Sequence, residues 1–265
     1  MRRKALSLIL ATGILMTVSI SFAGYSISAN TGSGIENDLG LIQVEKVPNY
    51  LNYVMENLSC EGIHYYSDGN ELLNLGNTIN ADGTNATDKD DFTISFSAQS
   101  NTASAALVQI NNALGGNTGC TGTIDFAFSF PQNSNIDINA LVENSDAYFQ
   151  VRTATNPNSD TILPLSNWYV SNNQLASTGT EVSYLKGDTT NKTLTLSVLI
   201  TDHSLGGSAI SDDPYLYSMA DLFSTYASFN SQYTLVLDLD LSTMTNLTLS
   251  DFSGVTLSVN ASKGI

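Results

Sequence analysis

Two stretches in the second half of the chain, TLTLSVLIT at 193–201 and YTLVLDLDL at 233–241, decide the fold class. In both stretches apolar and polar residues alternate, which is the period of a β-strand with one buried face. In the second stretch the alternation places leucines on one face and directs Asp238 and Asp240 outward. The pattern therefore predicts strands that each contribute one face to a hydrophobic core.

Similar runs recur along the chain, separated by clusters of Gly, Asn, Asp and Ser. The predicted strands are 39–47, 92–98, 122–130, 147–154, 168–171, 181–185, 193–201, 233–241 and 255–259. Helical spacing of apolar residues is found instead at 50–58, 103–114 and 214–229. This spacing predicts a mainly β fold, an antiparallel β-sandwich with a few short helices. No repeat or linker interrupts residues 38–265, so we expect a single domain.

The first 23 residues have the layout of a secretory signal peptide. Basic residues at 2–4 precede an apolar run at 5–20, which ends in Ser-Phe-Ala directly before Gly24. A membrane anchor is the alternative, but the run is shorter than the roughly 20 apolar residues of a spanning helix. We predict cleavage after Ala23 and a location outside the cell or at its surface, with no membrane association after cleavage.

The charge balance excludes one class of partner. The chain has 25 acidic and 9 basic residues and a net charge of -16. Nucleic-acid binding needs clustered Lys and Arg, so we expect no nucleic-acid partner. Cleavage after Ala23 leaves 6 basic residues beside the 25 acidic ones, a net charge near -19. Such a chain attracts cations, although the acidity also serves solubility alone.

One acidic loop contains the oxygen ligands that Ca²⁺ prefers. The sequence NADGTNATDKDD at 80–91 supplies the candidate ligands Asn80, Asp82, Asp88, Asp90 and Asp91. It does not match an EF-hand, because Lys89 falls where the bidentate carboxylate is needed. The loop is therefore either a Ca²⁺ site or a solvated acidic turn, and no other cofactor is expected.

The sequence contains two cysteines, Cys60 and Cys120. An oxidising extracellular medium permits a disulfide between them, and two separate buried thiols are the alternative. We predict the disulfide.

No catalytic motif is found in the sequence. His64 and His203 are isolated, whereas zinc sites need several closely spaced ligands. The G-x-S-x-G nucleophile elbow of many hydrolases is not present in the chain. We therefore predict no catalytic residue and no enzymatic activity.

The start of the chain resembles a known family. Gly24 and Tyr25 follow the signal segment, and a short polar stretch then leads to the strand-like DLGLIQV at 38–44. This order is similar to that of the TasA and camelysin class of secreted β-sandwich proteins, which have an aromatic residue shortly after a glycine and then a GTLDL-type strand. The two cysteines and the ordinary cleavage site depart from that class. The resemblance implies a jelly-roll subunit that forms extracellular fibres by lending a strand to its neighbour.

Residues 24–37, GYSISANTGSGIEN, are expected to form a flexible amino-terminal arm. Tyr25, Ile27 and Ile35 suit a β-strand, and such an arm can pair with an open sheet edge of another copy. A head-to-tail contact of this kind does not close and gives filaments. The alternative is an unstructured terminus, which is common at the start of a domain.

Two function classes fit these features. The favoured class is a structural subunit of an extracellular surface or matrix filament, whose partners are copies of itself and which assembles by donating its amino-terminal strand. The second is a monomeric glycan-binding module or adhesin, with or without Ca²⁺. Aromatic residues clustered near Trp168 or Tyr184 would favour the module, and an open groove beside a free arm would favour the subunit.

Overall fold

A computed structural model describes residues 35–38, 41–67, 91–98, 100–115, 122–153, 156–165, 184–201, 218–226, 232–241, 243–244, 247 and 249–263. The predicted signal peptide at 1–23 and the predicted strand at 168–171 lie outside these residues.

Strands are the commonest regular element among the described residues. The strands are β1 (Ile35–Asp38), β2 (Gln43–Lys46), β3 (Glu56–Glu61), β4 (His64–Ser67), β5 (Asp91–Ser97), β6 (Thr123–Ser129), β7 (Asp146–Thr153), β8 (Asn156–Pro164), β9 (Leu185–Asp188), β10 (Thr193–Leu199), β11 (Gln232–Asp238) and β12 (Thr256–Ser262). The helices are α1 (Asn49–Asn52), α2 (Ser100–Ala113), α3 (Ile138–Asn144), α4 (Met219–Thr225) and α5 (Leu249–Phe252). The fold is mainly β, as the sequence predicts.

Ten of these strands form two five-stranded sheets. Sheet I has the order β2-β12-β6-β10-β9, and sheet II has the order β3-β5-β11-β7-β8. Neighbouring strands are antiparallel, except that β2 runs parallel to β12. The two remaining strands, β1 and β4, pair with each other in a separate antiparallel ribbon.

The buried faces of both sheets contribute to one hydrophobic core. Phe92 on β5 stacks on Phe128 on β6, with ring centroids 4.8 Å apart, so the two sheets are in direct contact. Leu196 and Leu235 are fully buried, which confirms the alternation predicted for β10 and β11. Each fully buried side chain of this size contributes about 1.5–3 kcal/mol through the hydrophobic effect.

Two helices pack together at one end of the core. The predicted helix at 103–114 is confirmed as α2, which packs on α4. The Asn111 side chain of α2 accepts a buried hydrogen bond of 2.6 Å from the backbone N–H of Gly122. Ser218 caps α4 by accepting a bond from the N–H of Asp221. Among the described helices, none combines the length and apolar character needed to cross a membrane.

The predicted helix at 50–58 is wrong beyond its first turn. Helix α1 ends at Asn52, and β3 begins at Glu56. Leu51 and Met55 are buried, so their helical spacing reflects a single turn that packs into the core. Asn57 has a φ of 56°, a left-handed conformation that a continuing α-helix cannot contain.

The predicted disulfide is not formed in the structure, where Cys60 is a free thiol. Cys60 lies opposite Ile94 on the inner face of sheet II, and its side chain is buried in the core. Its Sγ donates to the carbonyl oxygen of Glu61 at 3.6 Å. Cys120 lies outside the described residues.

Candidate functional site: sheet edges and an acidic row

The chain that leads from the predicted arm into the domain is extended in the β1–β4 ribbon. Ile35 pairs with Ser67, and Asp38 pairs with His64. Tyr25 and Ile27, the other predicted arm residues, lie outside the described residues. Because β4 begins shortly after β3 ends, the ribbon is attached at the β3 edge of sheet II.

The chain itself links the two sheets beside this ribbon. Leu41 forms an isolated bridge with Glu61 of β3, and the N–H of Ile42 donates to the carbonyl of Cys60 at 2.8 Å. The following strand, β2, then pairs with β12 in sheet I. Residues 41–46 therefore cross from the β3 edge of sheet II to sheet I, and their backbone forms hydrogen bonds with both sheets.

The opposite edges of the two sheets are β9 and β8. Strand β9 has only four residues, and α3 packs against it so closely that a Cβ on Gly187 would lie 2.6 Å from Ile138 Cγ2. Strand β8 has nine residues and pairs with β7 on one side. Among the described strands, none pairs with the other side of β8.

Strand β8 has fewer charges than the other edge strands of the two sheets. Its sequence, NPNSDTILP, has Asp160 as its one charged residue, but it also contains two prolines and has an irregular register with β7 between Asn156 and Thr161. Charges, prolines and bulges usually protect an edge. The Ile162 side chain is 49% exposed. Pro157 and Pro164 lie near its two ends, where proline is tolerated because an edge strand needs hydrogen bonds on one side only.

An acidic row crosses the outer face of sheet II at one end of its central strands. Asp238 on β11 is directly opposite Asp91 on β5 and Asp146 on β7. Residues opposite each other in antiparallel strands have Cβ atoms about 5 Å apart, and like charges in such pairs are destabilising. The Tyr184 hydroxyl donates to Asp146 Oδ1 at 2.6 Å, which places one hydrogen-bond donor beside the row.

The row raises the pKa of its central carboxyl group, Asp238, and of the neighbouring Tyr184 hydroxyl. Partial desolvation raises the pKa of Asp238, and the negative charges of Asp91, Asp146 and Asp240 raise it further. Burial likewise raises the pKa of the Tyr184 hydroxyl, and its bond to Asp146 adds to the effect. Both shifts favour the protonated forms of the Asp238 carboxyl and the Tyr184 hydroxyl.

The structure describes one of the five predicted Ca²⁺ ligands. Asp91 begins β5 and belongs to the acidic row, while Asn80, Asp82, Asp88 and Asp90 lie outside the described residues. Within the described residues, no group of three or more His, Cys, Asp or Glu side chains is arranged to hold a metal ion. The Ca²⁺ site stays a prediction.

The structure describes only some of the residues considered for catalysis and for glycan binding. His64 is in β4, and His203 lies outside the described part of the chain. Trp168 also lies outside it, and the Tyr184 hydroxyl is bonded to Asp146.

Sequence reasoning missed two features of this surface. It predicted no strand at 156–164, because Asn and Pro in that segment are typical of loops; the short run Thr161, Ile162 and Leu163 is the one strand signal there. It also did not predict the acidic row, since Asp91, Asp146 and Asp238 are far apart in sequence and meet only through strand register. A scan against protein-family models and searches of curated proteins and of solved structures find no significant match to this chain.

Proposed function

We propose that this chain is a secreted structural subunit of an extracellular surface or matrix filament, which assembles by donating its amino-terminal strand to the next copy. The observation that carries the proposal is the β1–β4 ribbon. It keeps the chain after residue 34 extended and outside both five-stranded sheets. The segment before it is therefore a suitable donor strand, because its removal takes none of the described strands from either sheet.

The strand order supports a jelly-roll version of this subunit. Strand β11 lies between β5 and β7, and β12 lies between β2 and β6, so late strands are inserted between earlier ones in both sheets. The chain also passes from sheet to sheet between β5 and β6, and again between β6 and β7. Such insertions are characteristic of Greek-key connections, and a jelly roll contains two of them.

The sequence supports export and growth of the assembly outside the cell. The order of basic, apolar and small residues in 1–23 is that of a signal peptide. The exported chain would carry a net charge near -19, which opposes association at low ionic strength. Salt screens this repulsion, and Ca²⁺ can also bridge carboxylates of neighbouring copies.

Electron microscopy of two purified chains tests the proposal. The first starts at Gly24, and the second starts at Ile35 and lacks 24–34 but keeps β1. Both are compared in low salt, in 0.15 M NaCl and with Ca²⁺ added, and circular dichroism verifies that both are folded. We expect filaments of the first chain and monomers of the second. If the first chain stays monomeric in every condition, the result contradicts the proposal and favours the glycan-binding alternative. If both chains assemble equally well, the arm is not the donor strand.

A further inference from the structure

The four edges of the two sheets are not equally able to accept another strand. Strands β2 and β9 have four residues each, and both contain charged side chains. Strand β3 has an irregular register next to Glu56 and a bridge from Leu41 at its far end. Strand β8 contains a single charge, that of Asp160, and its pairing with β7 is regular at 161–164 but irregular between Asn156 and Thr161. Among the four edges, β8 at 161–164 is therefore the one at which an added strand meets the least charge.

The register of β8 shows which of its backbone groups point outward. Pro164 pairs with Tyr148 but has no N–H, so this pair does not exchange hydrogen bonds directly. In an antiparallel pair such positions alternate with hydrogen-bonded ones. Ile162, two residues earlier and opposite Gln150, therefore directs its N–H and C=O away from β7. These groups are placed to bond a further strand.

The arm has the composition that this edge requires. Residues 24–34, GYSISANTGSG, contain no charged side chain, so pairing with β8 would desolvate no charge from the arm. Tyr25, Ile27 and Ala29 alternate with polar residues and would share one face of a strand. The acidic groups of the chain are thus kept out of the donated segment.

We propose that the outer edge of β8 is the site that receives residues 24–34 of the next copy. This inference rests on the proposed function and identifies the acceptor for its donor strand. The β1–β4 ribbon is attached at the β3 edge, and β8 is the opposite edge of the same sheet. Each copy would therefore donate its arm from the β3 edge of sheet II and receive the arm of another copy at the β8 edge.

The difference between the donating and the accepting surface favours an open polymer, and the arm is long enough to reach another copy. Four strand spacings of about 4.8 Å separate β3 from β8 by about 19 Å. An extended arm of eleven residues reaches at most about 36–40 Å. Because the donating and accepting surfaces differ, repetition of the contact gives a filament with a direction, whereas a two-fold dimer would need one surface that pairs with itself.

Substitution of Ile162 tests the acceptor. I162P removes the outward N–H without removing a bond to β7, and the matched control I162T keeps the N–H while removing the same apolar side chain. We expect I162P to raise the critical concentration for filament formation tenfold or more, while I162T forms filaments with a critical concentration within threefold of the unsubstituted chain. Thermal unfolding of the monomers verifies that both variants are folded.

A mixing experiment separates this inference from the proposed function. I162P keeps its arm and loses its acceptor, whereas the chain that starts at Ile35 keeps β8 and loses the arm. Neither should polymerise alone, but together they should form one-to-one complexes detectable by analytical ultracentrifugation. If the unsubstituted chain forms filaments that require 24–34 but I162P forms them equally well, β8 is not the acceptor and the proposed function stands. If the unsubstituted chain forms none, the proposed function and this inference both fail.

Cross-linking decides the question if I162P does not fold. A chain with S28C and I162C, with C120S so that the buried Cys60 is its one remaining native cysteine, is treated with a bifunctional maleimide under assembly conditions. We expect a ladder of covalent oligomers on a denaturing gel. Filaments without a ladder would contradict the assignment of β8, and so would dimers formed by a chain with I162C and C120S alone, because those would show β8 pairing with itself.

Discussion

The acidic row makes a quantitative prediction about stability. In D238N the central carboxylate of the row becomes neutral at nearly constant shape, while its neighbours Asp91 and Asp146 are kept. At a charge separation of about 6 Å, each repulsive pair costs about 0.7 kcal/mol in water without salt. Two pairs cost about 1.4 kcal/mol, and screening at 0.15 M salt reduces this to about 0.7 kcal/mol. We expect D238N to be more stable than the unsubstituted chain by these amounts.

Differential scanning calorimetry at pH 7 is the assay. For a chain of this length 1 kcal/mol corresponds to about 2–4 °C in Tm, so we expect a rise of about 3–6 °C at low salt and about half of that at 0.15 M. The matched control is E45Q, which removes one negative charge from an exposed strand residue outside the row. If E45Q raises Tm as much as D238N does, net charge and not the row determines stability. A lower Tm for D238N would refute the reasoning.

The pH dependence of the same difference has a defined sign. Because the pKa of Asp238 is raised from its ordinary 3.8, the native state binds a proton at a higher pH than the unfolded chain does. The repulsion is complete above the raised pKa and is lost as the pH falls through it. The advantage of D238N should therefore disappear on acidification toward pH 4, and an advantage that grows there would contradict the cause assigned to it.

Two further predictions concern the core. Burial raises the pKa of the Cys60 thiol, and the charge of Glu61 adds to this. We therefore expect no reaction of Cys60 with a thiol reagent at pH 8 in the native C120S chain and complete reaction in guanidinium chloride. Reaction at equal rates in the two conditions would contradict its burial. N111A removes the acceptor of a buried 2.6 Å hydrogen bond from the N–H of Gly122 and should lower the free energy of unfolding, measured by urea denaturation, by about 1–3 kcal/mol. The control N112A, at an exposed position of the same helix, should change this free energy by less than about 0.5 kcal/mol. Equal effects of the two substitutions would show that the hydrogen bond does not stabilise the fold.

The parts of the fold that follow a local pattern could be predicted from the sequence. In β11 the side chains of Leu235 and Leu237 are buried on the inner face with a period of two, while the outer face is exposed at Asp238 and covered at Val236. Helix α2 was predicted for a similar reason. In both elements the residues that form the pattern are neighbours in sequence, so the alternation of core and solvent contacts can be read from the local sequence alone.

The features that depend on pairing between strands could not be predicted. Strand β8 is held by backbone bonds to β7, and these bonds tolerate Asn, Ser and Pro at an edge. The spacing of Leu51, Val54 and Met55 suits a helix, yet the chain turns and enters β3 because its bonds to β5 continue the sheet. The acidic row depends on the register of three strands, which a one-residue shift in any of them would destroy.

The distribution of charge connects the fold to assembly. Without residues 1–23 the chain would carry a net charge near -19 and resist association, yet 24–34 has no charged side chain and β8 has one. Pairing between these two segments would therefore depend on backbone hydrogen bonds and apolar contacts, which salt screening does not weaken, while the repulsion between the bodies of the copies extends only about 8 Å at physiological ionic strength. A filament built in this way would be soluble as monomers at low salt and would assemble where the external medium supplies ions. The acidic surface would then regulate where polymerisation occurs without taking part in the contact that joins the copies.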